Sequence, residues 1–159
     1  MTRVRIRRIT SADAQLVAAL DAWAAVATTD QGREECSRLS DRVRAEGQPR
    51  HEVNYGVFVD SQFVGGVHTS GEHFNVMWLH WNHANKGIGP SVASAILRRQ
   101  LTQYGKAIVN TPNVRMCKAL LKIMTPERRS RARCRDGIQT LTFGPGDLLK
   151  SCIWSGHAR

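Results

Sequence analysis

The segment Asn85-Lys86-Gly87-Ile88-Gly89-Pro90-Ser91 constrains this chain more than any other. An apolar run from Phe74 to Trp81 precedes it, and apolar residues at helical spacing follow from Ser91 to Tyr104. The order reads as strand, tight glycine turn, helix. Gly87 and Gly89 carry no Cβ, so the backbone can curl and come close to a ligand. The first N–H groups of a helix lack internal partners and carry partial positive charge, which suits an anion. Pro90 fits a first helical turn, where its missing N–H costs nothing. The turn is therefore either a phosphate cradle or a plain connection. Spacing excludes two familiar cradles. Lys86 precedes the glycines, unlike the lysine of a P-loop, and Val92 stands where a dinucleotide fingerprint needs its third glycine.

The rest of the chain supplies the context. Val4 and Ile6 alternate with Arg3, Arg5 and Arg7, predicting a first strand over 3–9. Thr10 to Asp13 is a helix-start pattern, and Leu16, Val17, Leu20, Trp23 and Ala24 share the face of a helix ending near Thr28. A more polar helix is expected over Arg33–Glu46, stopped by Gly47-Gln48-Pro49. Strands follow at Val53–Val59, Phe63–His68 and Phe74–Trp81, with Gly65-Gly66 marking a weak or bulged point. The bulk on both faces of the last strand predicts a central, buried position. After the glycine turn and its helix, Gly105 is a helix stop and Lys106–Asn110 a short strand. Pro112 or Asn113 opens a helix carrying Met116, Cys117, Leu120, Leu121 and Met124, which Pro126 ends. Arg129–Arg135, Asp136-Gly137 and Ile138–Phe143 read as a hairpin with Arg131, Arg133 and Arg135 on one face.

The glycine turn resembles motif A of the GCN5-related N-acetyltransferases, whose pattern is Gln/Arg-x-x-Gly-x-Gly/Ala. Ala84-Asn85-Lys86-Gly87-Ile88-Gly89 matches it at both glycines and departs at Ala84. The order of elements along nearly the whole chain matches that family as well. The resemblance implies an α/β (α+β) fold: a central mixed, mostly antiparallel twisted sheet of six to seven strands flanked by about four helices. It implies one acetyltransferase-like domain over residues 1–143. The tail over 144–159 reads as loosely packed, with Leu148, Leu149, Ile153 and Trp154 able to dock. It also implies acetyl-CoA as a substrate, with its pyrophosphate on the turn. Leu79, His80 and Trp81 then fall at the acetyl end, and Asn113 matches a family Asn that often contacts CoA. The family's usual acid, a Tyr seven residues after that Asn, is here Leu120. Tyr55 is the candidate substitute acid. His80 is the candidate base because histidine titrates near neutral pH, with Glu72 as a second candidate.

Composition narrows the partners. The net charge of +10 favours anionic ones. Between Arg98 and Arg135 there are eleven Lys or Arg against one acid, Glu127. An anionic or acidic-flanked acceptor, recruited by Arg131, Arg133 and Arg135, is the leading expectation. The alternative is a catalytically inactive member of the fold that binds nucleic acid or a protein partner through its basic face. Cys36, Cys117, Cys134 and Cys152 form no Cys-x-x-Cys pair, and His80-x-x-His83 lacks a third ligand, so no metal is expected. No apolar run reaches the length of a membrane span, and the start lacks a signal-peptide core, so a cytoplasmic location is expected. The sequence leaves the oligomeric state and the acceptor open.

Overall fold

The computed structural model describes residues 2–45, 51–84 and 86–150. Among these residues six strands form one sheet in the order β1-β2-β3-β4-β5-β6. They are β1 Val4–Ile9, β2 Glu52–Val59, β3 Gln62–Ser70, β4 His73–Leu79, β5 Ala107–Thr111 and β6 Gln139–Phe143. The β4–β5 pair is parallel; β1–β2, β2–β3 and β5–β6 are antiparallel. Among the described residues five α-helices accompany them: α1 Ala14–Val26, α2 Asp30–Arg44, α3 Ile88–Tyr104, α4 Val114–Leu121 and α5 Pro126–Ser130. The expected mixed, mostly antiparallel sheet is what the chain forms.

Contacts group the described residues into two compact units, those within 2–70 with 76–84, and 71–75 with 86–150. In the first unit, alternation directs Val4 and Ile6 inward and the intervening arginine outward. The Thr10–Asp13 pattern closes a turn and not a helical turn: an Asp13 carboxylate oxygen accepts from the Thr10 N–H at 2.9 Å, and α1 starts at Ala14. Helix α2 begins earlier than expected because the Thr29 hydroxyl accepts from the Gly32 N–H and caps it. The stop signal expected at Gly47-Gln48-Pro49 lies outside the described residues. Val17, Leu20 and Ala24 of α1 meet Cys36, Leu39 and Val43 of α2 over Ile9, Val76 and Trp78 of the sheet.

Two glycines set how the sheet of this unit closes. A Cβ on Gly66 would lie 2.5 Å from the Tyr55 carbonyl oxygen, and one on Gly65 would lie 2.1 Å from that of Trp78. At Gly65, φ is +148°, which compounds the restriction. The β2–β3 register jumps here from Val57↔Gly65 to Phe58↔Phe63. Val64 is thus an extra residue, a bulge at the point where the glycine pair foreshadows one. The carbonyl of Val64 accepts from the His80 N–H at 2.7 Å. Strand β4 ends there, at Leu79, and Trp81–His83 forms a short 3₁₀ turn instead of further strand. Phe74, Val76 and Trp78 of β4 are buried, whereas Met77 and Leu79 are half-buried and Asn75 is exposed. One face of the strand is therefore core and the other is not, contrary to the expected burial on both.

In the second unit, α3 packs on β5 and α4. Its inward stripe is Val92, Ala93, Ile96 and Leu97, and Gly105 ends it in the left-handed conformation. The expected hairpin over 129–143 does not form. Thr125 caps a short helix with Pro126 at its start, so Pro126 opens an element where it was expected only to end one. Residues 131–138 contain no strand, and β6 pairs with β5. Arg128 is buried, donates to the Thr142 carbonyl at 3.0 Å and sits over the Phe143 ring. A disulfide joins Cys117 of α4 to Cys134. The described part of the tail docks: Leu148 is buried and bridges to Met124, and Leu149 donates to the Ile123 carbonyl at 2.9 Å. Ile153 and Trp154 lie outside the described residues.

Candidate functional site

The glycine turn is built as its composition demands. Gly87 adopts φ +77° and is the N-cap of α3, with Ile88, Gly89 and Pro90 forming the first turn. A Cβ on Gly87 would meet nothing within 4 Å, so glycine is needed there for its backbone angle and not for space. The N-cap glycine brings no side chain to cap α3, and no acid lies in its first turn. Its first N–H groups, with the helix dipole behind them, are donors of the kind that suit an anion. Lys86, just before the turn, and Gly87 itself are exposed, and Gly89 is half-buried. Ala84 is exposed at the end of the 3₁₀ turn and brings no charge. Asn85 lies outside the described residues.

At the end of β4 the chain gathers aromatic rings. His80 lies tilted by 31° on Trp81, with 4.0 Å between centroids, and meets Trp23 of α1 edge-on at 5.1 Å. Trp23 in turn stacks on Phe63 and Trp78. Trp81 is 47 % exposed, so the column of rings ends at the surface. The His80 Nδ1 accepts from the Asn82 N–H at 3.2 Å, which caps the 3₁₀ turn. Burial, with the neighbouring His83 second, holds the His80 imidazole below its ordinary pKa. The ring is therefore neutral at neutral pH, and the cap assigns the proton to Nε2.

The remaining candidates separate. Glu72 stands at the opposite end of β4 from Leu79, His80 and Trp81, within 3.6 Å of the Lys106 ammonium and 3.9 Å of His73. Tyr55 is 4 % exposed in β2, a core residue. Leu120 is fully buried in α4, as its apolar stripe predicts. Asn113 is the N-cap of α4, its side-chain oxygen accepting from the N–H groups of Arg115 and Met116 at 2.9 and 3.4 Å. A capping requirement accounts for an asparagine there without any ligand. With the hairpin gone, Arg131, Arg133 and Arg135 no longer share a strand face. Arg131 reaches Asp147 at 3.7 Å, and the same carboxylate lies 3.8 Å from Arg128. Arg133 and Arg135 are exposed on the segment that the disulfide ties to α4. Among the described residues no group of three His, Cys, Asp or Glu is placed to hold a metal ion. No helix among them is long and apolar enough to cross a membrane.

Three features lay beyond the sequence reading. The disulfide had no motif to announce it. The Asp147 pairings depend on a tail that looked loosely packed. The direction of the His80 proton depends on a 3₁₀ turn read as strand.

This arrangement of sheet, glycine turn and helix is the fold of the GCN5-related N-acetyltransferases. No protein-family model matches the chain, and no curated protein matches it in sequence. Solved structures do. A spermidine N-acetyltransferase chimera from Vibrio cholerae and hSSAT superposes with a TM-score of 0.60 at 12 % identity, over 89 % of this chain and 95 % of that one. The GNAT domain of a protein from S. lividans gives the same TM-score and identity over 89 % and 90 %. An N-acetyltransferase from Thermoplasma acidophilum, in complex with coenzyme A, gives 0.55 at 12 % identity over 88 % and 99 %. At this identity the likeness is one of fold.

Proposed function

We propose that the chain is an acetyl-CoA-dependent N-acetyltransferase. The uncapped, acid-free start of α3 behind the left-handed Gly87 carries this reading. Backbone N–H groups of Ile88 and Gly89, with Lys86 beside them, suit a pyrophosphate in position and charge. The neighbour from Thermoplasma acidophilum that shares the fold holds coenzyme A. By resemblance to the family, a pantetheine arm would run along β4, with Leu79, His80 and Trp81 at the acetyl end.

Acetyl-CoA brings an activated thioester. The chain's part is to hold it, to orient an amine against its carbonyl and to stabilise the charge that develops on oxygen. Exposed Arg133 and Arg135, with Arg131 partly satisfied by Asp147, suit an acceptor that is acidic or flanked by acids. A second reading is a non-catalytic protein of the same fold whose basic surface binds nucleic acid. The burial of Tyr55 and the apolar Leu120 favour it, since neither supplies an acid.

Isothermal titration with acetyl-CoA tests the first reading. The wild-type chain should bind, and Gly89→Asp should not, because it adds bulk and negative charge where phosphate approaches. Equal affinity in a folded variant rules out the turn. No binding by the wild type, together with duplex binding that weakens steeply with salt, favours the second reading.

A further inference from the structure

We propose that His80 is a neutral hydrogen-bond donor to the thioester carbonyl oxygen, acting through Nε2–H, and that it is not the base that deprotonates the amine. The inference rests on the acetyl-transfer reading above and deepens it.

Three restraints converge on this side chain. Its backbone N–H is held by the bulged carbonyl of Val64 at 2.7 Å, and its own carbonyl accepts from the His83 N–H at 2.8 Å. Its ring lies against the face of Trp81 and meets Trp23 and Trp78 edge-on, at 5.1 and 6.3 Å. Its Nδ1 accepts from the Asn82 N–H. The lone pair on Nδ1 is thus occupied, and the lone pair a base would need on Nε2 is replaced by a proton. To act as a base, the ring would have to move its proton to Nδ1. That would set two donors, Nδ1–H and the Asn82 N–H, against each other across 3.2 Å and uncap the 3₁₀ turn. Protonating the ring meets the same conflict. Burial and the neighbouring His83 oppose it further and keep the imidazole neutral. The rings from α1 and β4 that enclose His80 are tryptophans, and His83 on the 3₁₀ turn is its titratable neighbour.

A rigid, neutral N–H donor is what a developing oxyanion needs. During transfer the amine nitrogen bonds to the carbonyl carbon, and the C–S bond breaks with its electron pair going to sulfur. The proton lost by nitrogen reaches that sulfur through water. His80 keeps its own proton throughout, giving a hydrogen bond that strengthens as the oxygen gains charge.

Two measurements test this. Long-range ¹H–¹⁵N correlation spectra of labelled protein should show a non-protonated Nδ1 and a protonated Nε2 on His80 across neutral pH. The Nδ1–H form, or an imidazolium at pH 7, would overturn the proposal. Infrared difference spectra with [1-¹³C]acetyl-CoA should show the carbonyl stretch of the bound thioester moved to lower wavenumber. His80→Ala should lose that shift, and His80→Gln, which retains an N–H donor, should recover part of it. Binding with an unchanged stretch in His80→Ala overturns the role of His80 while the acetyl-CoA reading stands. If the wild type fails to bind acetyl-CoA, both fall together.

Discussion

The buried histidine of β3 makes the stability of this chain depend on pH in a defined interval. His68 is fully buried, and its Nδ1 lies 2.8 Å from the Asn54 side-chain oxygen. Asn54 offers an acceptor there, so Nδ1 carries the proton and Nε2 the lone pair. Nε2 is buried with no hydrogen-bond partner among the described residues. Protonation would create a charged donor with nothing to bind. Burial, reinforced by the Arg42 charge and partly offset by Glu52, lowers the His68 pKa from 6.5 to about 4. The sign follows from proton uptake. Between pH 6.5 and about 4 the unfolded chain binds the proton and the folded chain does not, so stability falls as pH falls. The contribution is fully present above 6.5 and fully lost below the folded value. At roughly 1.4 kcal/mol per pH unit, the interval amounts to about 3 kcal/mol. Urea unfolding of the wild type and of His68→Gln, followed by tryptophan fluorescence from pH 4 to 8, isolates the term, since the other carboxylates and histidines cancel in the difference. The wild type should lose about 3 kcal/mol more than the variant between pH 7.5 and 4. Parallel curves would refute the reasoning.

Two further outcomes are expected. Leu120→Ala should cost about 2–5 kcal/mol in urea unfolding, because a fully buried side chain leaves a cavity. Cys134→Ser should lower stability by about 3 kcal/mol, the order expected for a cross-link spanning 17 residues. Dithiothreitol should bring the wild type down to the melting point of that variant and leave the variant unmoved.

Much of this fold was legible because hydrophobic period is a direct record of burial. Val4 and Ile6 against the arginines of β1, and Val92, Ala93, Ile96 and Leu97 along α3, each declare their element. The glycine turn was legible for a different reason: Gly87 and Gly105 bracket α3 with backbone angles that other residues avoid. The hairpin failed because alternating arginines mimic the period of a strand when they are only exposed. Thr125-Pro126 was the better signal, a cap followed by a residue fitted to a first helical turn. Arg128 shows why charge misleads here, since its guanidinium is buried on Thr142 and Phe143 while its neighbours stay in water. At the candidate site the residues were readable but their states were not. His80 could be picked out as titratable, yet which of its nitrogens bears the proton is decided by the Asn82 amide.

Val64 gives the sheet a parity. Side chains on a strand change sides at every residue, so Phe63 and Gly65, two apart, would share a side if Val64 did not bulge; pairing with the consecutive Phe58 and Val57 sets them on opposite sides. Phe63 lies just beyond the bulge, opposite Phe58, and from there it reaches the Trp23 ring that leads on to His80 and Trp81. Deleting Val64 would leave β3 a good strand in composition and length. It would nonetheless withdraw the carbonyl that receives the His80 amide, while Phe63 stayed opposite Phe58. In chains descended from this one, a change in the number of residues between Asp60 and Gly65 should be felt at His80, whose amide would lose its acceptor, whatever residue stands at position 64.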